Sequence, residues 1–208
     1  MTKVKICGIT SLDDARIAVD AGADMLGFNF YEKSPRYIGP SSAKAILEEL
    51  PPQVISVGVF VNSSLAELER IYSDLSLDVI QLHGDESADF VSRLKAATGA
   101  KMIKVVRVSA DFSASIALEY DVDHFMLDSD ARAFGGSGAT FDWDAAVKFS
   151  EFVPNFYLAG GLTPANVGEA IRKARPFAVD VCSGVELEKR IKDPLKVVAF
   201  VRNAKAAL

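Results

Sequence analysis

Cys7, His83, Asp128 and Asp180 sit at or near the ends of short apolar runs, and the alternation within those runs decides where they point. Side chains change face at every residue of a strand. In Val4-Lys5-Ile6-Cys7, Val4 and Ile6 suit an apolar layer, which sends Lys5 and Cys7 to the other face. Val79-Ile80-Gln81-Leu82-His83 sorts likewise, with Gln81 and His83 opposite Ile80 and Leu82. In His124-Phe125-Met126-Leu127-Asp128 and Ala178-Val179-Asp180-Val181-Cys182 the same rule turns Asp128 and Asp180 away from the bulky residues. A thiol, an imidazole and two carboxyls aimed at one space make a set for general acid–base chemistry, because buried polar groups are costly unless partnered. Lys5 shares a face with Cys7 and favours its thiolate. An unperturbed thiol with a pKa of about 8.5 is only a few per cent ionised at neutral pH.

Each residue also has a plainer reading. A free cysteine behaves as a small buried hydrophobe, and Cys182, inward by its phase, is read as packing. Asp128 suits a turn cap, His83 before Gly84 suits a turn, and Asp180 suits a structural partner for Lys5.

A second set of residues reads as an anion site. Ala159-Gly160-Gly161-Leu162-Thr163-Pro164 passes from strand to helix with two glycines, which let a ligand approach the backbone closely. Ser183-Gly184 follows the last strand-like run, and Gly184 is placed to open a short helix whose N-terminus attracts anions. Gly160, Gly161, Ser183 and Gly184 are therefore the expected phosphate ligands. Gly135-Gly136-Ser137-Gly138 lacks dinucleotide-fingerprint spacing and reads as a hinge or lid, with plain flexibility an equal alternative.

These groups need a scaffold that brings distant strand ends together. Strand-like runs at Val4–Cys7, Met25–Phe30, Val54–Val61, Val79–His83, Met102–Val108, Val122–Asp128, Asn155–Ala159 and Phe177–Cys182 alternate with segments of helical period. Ser11, Ser63 or Ser64, and Thr163-Pro164 supply helix start signals. Eight strands, each followed by a helix of a repeat of about 25 residues, predict a single (β/α)₈ TIM barrel of the phosphate-binding type spanning residues 1–208. A doubly wound open sheet shares this grammar but leaves two edge strands, and no run has an edge's Pro or Lys density. Two long connections, Tyr31–Pro40 and Ser129–Phe141, fall where barrel enzymes build their sites.

Composition removes other classes. The chain has 208 residues, half of them hydrophobic and a quarter charged, with a net charge of −5. That acidic balance without basic clusters argues against nucleic acid, and no apolar stretch reaches the ~20 residues of a membrane span. Two cysteines and two histidines lack zinc spacing and are too few for a disulfide scaffold. Asn62-Ser63-Ser64 matches a glycosylation acceptor, but with no secretory signal the expectation is a cytoplasmic protein.

The motifs together resemble a known family. Val4-Lys5-Ile6-Cys7-Gly8-Ile9-Thr10, Gly27-Phe28-Asn29-Phe30 with Ser34-Pro35-Arg36-Tyr37-Ile38, and Gln81-Leu82-His83-Gly84 are similar to those of the phosphoribosylanthranilate isomerases of tryptophan biosynthesis. So are Val57-Gly58-Val59-Phe60-Val61-Asn62, Leu127-Asp128, Gly135-Gly136-Ser137-Gly138 with Phe141-Asp142-Trp143, Leu158-Ala159-Gly160-Gly161-Leu162, and Asp180-Val181-Cys182-Ser183-Gly184-Val185-Glu186. The resemblance runs in order along the chain; Cys182 stands where a Ser or Glu would be commoner.

The resemblance implies an Amadori rearrangement of an aminoaldose phosphate, with Asp128 as general acid and Cys7 as general base. It implies Arg36 as partner of the anthranilate carboxylate, and His83 and Asp180 as substrate-positioning groups. No metal and no organic cofactor are expected, the partner being a small phosphosugar and the protein a monomer or homodimer. A histidine-pathway isomerase is similar but carries an aspartate in place of Cys7 and needs a second phosphate cradle, for which no glycine pair follows strands three and four. A non-catalytic phosphoribosyl-binding protein is the reading from another class, and intact Cys7 and Asp128 argue against it.

Overall fold

Each expected apolar run forms a strand, and the eight strands pair in chain order and close. The structure, a computed structural model, describes residues 1–109, 112–129 and 143–207. Strands β1 (Lys3–Cys7), β2 (Met25–Asn29), β3 (Ile55–Phe60), β4 (Val79–Leu82), β5 (Lys101–Val108), β6 (His124–Ser129), β7 (Tyr157–Leu158) and β8 (Ala178–Val181) make a closed barrel, all parallel. β8 pairs with β1 from Lys3↔Ala178 to Ile6↔Val181, so no edge remains. The open-sheet alternative is excluded by that last pairing.

The helices between them are α1 (Leu12–Asp20), α2 (Pro40–Leu47), α3 (Leu65–Leu75), α4 (Ala88–Thr98), α5 (Trp143–Ser150), α6 (Val167–Ala174) and α7 (Pro194–Lys205). Ser11 and Ser64 cap α1 and α3 as their positions predict, each accepting from a backbone N–H three residues on (Asp14 at 3.1 Å, Glu67 at 3.3 Å). Thr163-Pro164 does not start α6. Asn166 precedes that helix, and its side chain reaches back to accept from the Thr163 N–H (2.7 Å) and donate to the Gly161 carbonyl (3.0 Å). The helical start is thereby given up to clamp the glycine turn.

One expected helix is missing. Between β5 and β6 the described residues hold only a single 3₁₀ turn, Ala114–Leu118. Beyond β8, a second 3₁₀ turn of three residues, Ser183–Val185, leads into a small antiparallel hairpin of β9 (Glu186–Glu188) and β10 (Ile191–Lys192) that the sequence did not suggest. A turn of three residues has little macrodipole, so an anion site there rests on the glycine turns rather than on a helix N-terminus.

Alternation divides the apolar residues into two layers. Val4, Ile6, Leu26, Phe28, Ile80, Leu82, Phe125, Leu127, Val179 and Val181 pack outward under the helices. Met25, Val57, Val79, Ile103, Val105, Met126, Tyr157 and Ala178 fill the barrel interior. That interior is therefore a packed plug, and polar side chains of the same inward phase lie toward the C-terminal ends.

Candidate active site

The polar residues of inward phase meet in one cavity at the C-terminal ends of the strands. Cys7, Arg36, His83, Asp128, Gly160, Gly161, Asp180, Ser183 and Gly184 all line it. They come from the ends of β1, β6 and β8 and from the connections after β2, β4, β7 and β8, which is why groups up to 177 positions apart in the chain share one space. The connection after β6, positions 130–142, with the expected glycine-rich lid at 135–138, lies outside the described residues.

Lys5 sits at the centre of the charge arrangement. It is fully buried and donates to Asp180 Oδ1 at 2.7 Å. The two residues are register partners across β1 and β8. Cys7 pairs with Gly27 across β1 and β2. A β-carbon on Gly27 would fall 2.8 Å from Cys7 Sγ and 2.9 Å from Lys5 Nζ, so the missing side chain leaves the space that ammonium and sulfur share. Burial alone would lower the Lys5 pKa, but the Asp180 carboxylate and the Cys7 sulfur hold it above its ordinary value. Burial lifts Asp180 to about 6 against the pull of Lys5. Cys7 is held well below the ordinary thiol range, first by the neighbouring Cys182 thiol and then, against burial, by the nearby Lys5 ammonium.

Asp128 lies on the other side of the cavity, with its Oδ2 3.2 Å from His83 Nε2. Gln81 Nε2 lies 3.3 Å from His83 Nδ1, so a chain from Gln81 through His83 reaches the carboxyl. If Gln81 donates at Nδ1, the imidazole carries its proton on Nε2, facing Asp128. Gln81 Oε1 is buried and, among the described residues, has no hydrogen-bond partner.

Arg36 is delivered by the loop after β2. Asn29 donates to Ser34 Oγ (3.1 Å) and accepts from Tyr31 N–H (2.9 Å), and Ser34 Oγ accepts from Arg36 N–H (3.1 Å). The guanidinium grips Glu186 in a fork, Nε to Oε1 at 3.0 Å and Nη2 to Oε2 at 2.5 Å. That bond raises the Arg36 pKa, and Arg36 in turn keeps Glu186 low despite burial. Two of the three guanidinium nitrogens are thus engaged by the protein itself.

At the opposite rim Gly160 and Gly161 have φ of +81° and +65°, the left-handed region that favours glycine. Gly184 packs against the turn between β7 and α6: a β-carbon there would lie 1.9 Å from the Leu162 carbonyl oxygen. The two glycine turns therefore touch and act as one wall.

Three residues of this region were not singled out for the site by sequence. Cys182, read as packing, lines the cavity with its sulfur 3.9 Å from Glu186 Oε1. Glu186 holds Arg36, and Lys192 approaches Glu186 Oε1 at 3.4 Å. Only the closing Ser-Gly-Val-Glu motif hinted at Glu186, and nothing in the sequence marks Lys192.

A family profile described as N-(5'phosphoribosyl)anthranilate (PRA) isomerase matches residues 4–203. An N-(5'-phosphoribosyl)anthranilate isomerase of Geotalea daltonii is 48% identical over 209 residues, covering 100% of this chain and 99% of the relative. The crystal structure of phosphoribosyl anthranilate isomerase from Thermotoga maritima superposes with a TM-score of 0.91 at 43% identity, covering 99% of both chains. A phosphoribosyl anthranilate isomerase in complex with reduced 1-(o-carboxyphenylamino)-1-deoxyribulose 5-phosphate gives 0.87 at 40% identity, again over 99% of both.

Proposed function

The chain belongs to the N-(5'-phosphoribosyl)anthranilate isomerase family, aldose–ketose isomerases of tryptophan biosynthesis, and from that premise we propose how its residues divide the reaction. Asp128 is the general acid and Cys7 the general base of an Amadori rearrangement. The observation that carries this assignment is that a thiol held toward thiolate and a carboxyl partnered by a histidine line one cavity that also carries two contacting glycine turns.

The substrate is a furanose whose ring oxygen must gain a proton before the ring opens. Asp128 gives that proton, and the C1′–O bond breaks to leave an iminium. The iminium draws electron density from C2′, which makes the hydrogen there acidic. The Cys7 thiolate removes it, and the C–H electron pair becomes the enolamine double bond. Tautomerisation gives the ketose, with one proton returned to C1′ and one lost from the C2′ hydroxyl. The electron sink is the substrate's own nitrogen.

His83 holds the Asp128 carboxyl toward the sugar, and the Lys5–Asp180 pair fixes the positive charge beside Cys7. Gly160, Gly161, Ser183 and Gly184 take the phosphate through their backbone at the turns. Arg36, braced by Glu186, offers its remaining donors to the anthranilate carboxylate, a planar anion matched by a planar cation. Among the described residues no helix is long and apolar enough to cross a membrane, and the partner is a small phosphosugar.

The test is turnover and binding in parallel. Cys7→Ala and Asp128→Asn should each lose about 10²–10⁴ in kcat, the usual yield of positioned acid–base groups. Affinity for the reduced product analogue should stay within a few-fold, because neither group binds the phosphate. Near-wild-type kcat in either variant overturns its assignment.

A further inference from the structure

The hairpin that follows β8 sets a buried cation beside a buried anion. Glu186 opens β9 and Lys192 closes β10, and the two are register partners. The hairpin is tied down at that point: the Lys192 main-chain N–H donates to Asp14 Oδ1 of α1 (3.0 Å), and the Asp193 N–H to the Val185 carbonyl (2.9 Å). The Lys192 side chain is fully buried, which a lysine almost never is without a partner. Its Nζ reaches Glu186 Oε1 at 3.4 Å and the Cys182 carbonyl at 3.2 Å.

Those contacts are long for a charged donor, whose bonds usually measure about 2.7–2.9 Å. Glu186 has a better partner in Arg36, whose fork occupies both of its oxygens. A buried ion pair of poor geometry adds little to stability. What Lys192 changes is the charge. Arg36 and Glu186 alone make a neutral pair, and an incoming anion gains little from a cation already matched. Lys192 gives the buried trio one surplus positive charge. Of the charged groups around it, Asp14 meets its main chain rather than its ammonium, and Lys196 Nζ donates to the Glu186 carbonyl (2.8 Å). The Cys182 sulfur lies 3.9 Å from both Lys192 Nζ and Glu186 Oε1. Arg36 and Cys182 line the cavity while Glu186 and Lys192 stand behind them, so the surplus faces an anion that enters beside Arg36.

We propose that Lys192 is a specificity-determining residue: from behind the cavity wall it offsets Glu186, so that Arg36 receives the anthranilate carboxylate with its positive charge uncancelled. The protein thereby selects a phosphosugar whose aryl group carries a carboxylate over one whose aryl group lacks it. This rests on the reading of Arg36 as the carboxylate's partner. A residue that merely supports the hairpin would instead affect both kinds of ligand alike.

The experiment compares two ligands by calorimetric titration. One is the reduced product analogue; the other is the same compound built on aniline, without the carboxylate. The ratio of their affinities isolates the carboxylate's share, and binding is read without turnover. Lys192→Met removes the charge and the contacts, whereas Lys192→Gln keeps a donor and removes only the charge. Glu186 retains Arg36 in both, so neither variant strands a buried carboxylate. Each should lower the ratio by about tenfold, the scale of one unit charge acting over several ångströms in a partly buried site. The aniline compound should bind within about twofold of wild type. Lys192→Gln also serves if the methionine variant does not fold. Arg36→Met is the reference for the underlying reading and should lower the ratio as well. A ratio that falls in Arg36→Met but holds in Lys192→Gln overturns the proposal and leaves Arg36 in its role. Equal weakening of both ligands in the Lys192 variants overturns it too, as a purely structural effect. A ratio unchanged in Arg36→Met overturns the reading of Arg36 itself, and the proposal with it.

Discussion

Replacing Gly184 by alanine tests whether the two glycine turns form the phosphate wall. The added carbon would lie 1.9 Å from the Leu162 carbonyl oxygen and 3.0 Å from its carbon, whereas ordinary contact begins at 3.4 Å. Backbone must therefore give by about 1.5 Å, and neither atom belongs to a flexible side-chain tip. The turn after β7 is held by Asn166, which bonds both Gly161 and Thr163, so that side cannot yield without breaking those bonds. Overpacking of this kind costs about 1–3 kcal/mol, which as lost affinity is about 5- to 150-fold. A phosphate handle is gripped equally in ground and transition states, so the loss should fall on KM with kcat changed much less. Steady-state kinetics with phosphoribosylanthranilate, followed by its fluorescence, separates the two constants, and calorimetric titration with the reduced product analogue gives the affinity directly. KM and affinity both within twofold of wild type would refute the shared wall.

Other perturbations probe the charges. Burial holds Asp180 at about 6, above the 3.8 of an ordinary aspartate, so between those values the folded protein carries a proton that the unfolded chain has released. Stability contributed by this group falls as pH rises through that window, by at most about 1.4 kcal/mol per unit, and Asp180→Asn should remove the slope. Urea unfolding from pH 4 to 6.5 checks it, and identical slopes in the two proteins would contradict it. Arg36→Lys keeps a charge but loses the fork on Glu186; KM should rise by about tenfold or more with kcat changed little. An unchanged KM in that variant would remove Arg36 from substrate binding.

The barrel was legible because period two is a strong signal in strands whose outward face is apolar. Val4/Ile6 and Ile80/Leu82 assign Lys5, Cys7, Gln81 and His83 to the interior, and all four lie there. The same signal fails for β9 and β10, whose three and two residues are too short to show a period. It fails differently at Ala114–Leu118, where the apolar spacing suits a helix but only one 3₁₀ turn forms. Thr163-Pro164 carries a start signal, yet Asn166 takes over the bonding because its longer side chain spans back to Gly161. Cys182 was read as packing, yet it lines the cavity. Its phase was readable, but its neighbour was not, because barrel closure sets a register between residues 175 positions apart that no local pattern encodes.

The division of labour between sulfur and carboxyl can be read with substrate carrying deuterium at C2′. In single-turnover experiments, weakening the base makes breakage of that bond limiting, whereas weakening the acid makes ring opening limiting. Cys7→Ser should therefore show a primary isotope effect, and Asp128→Asn should show one close to unity. The reverse pattern, with sensitivity confined to Asp128→Asn, would contradict the roles given to both residues.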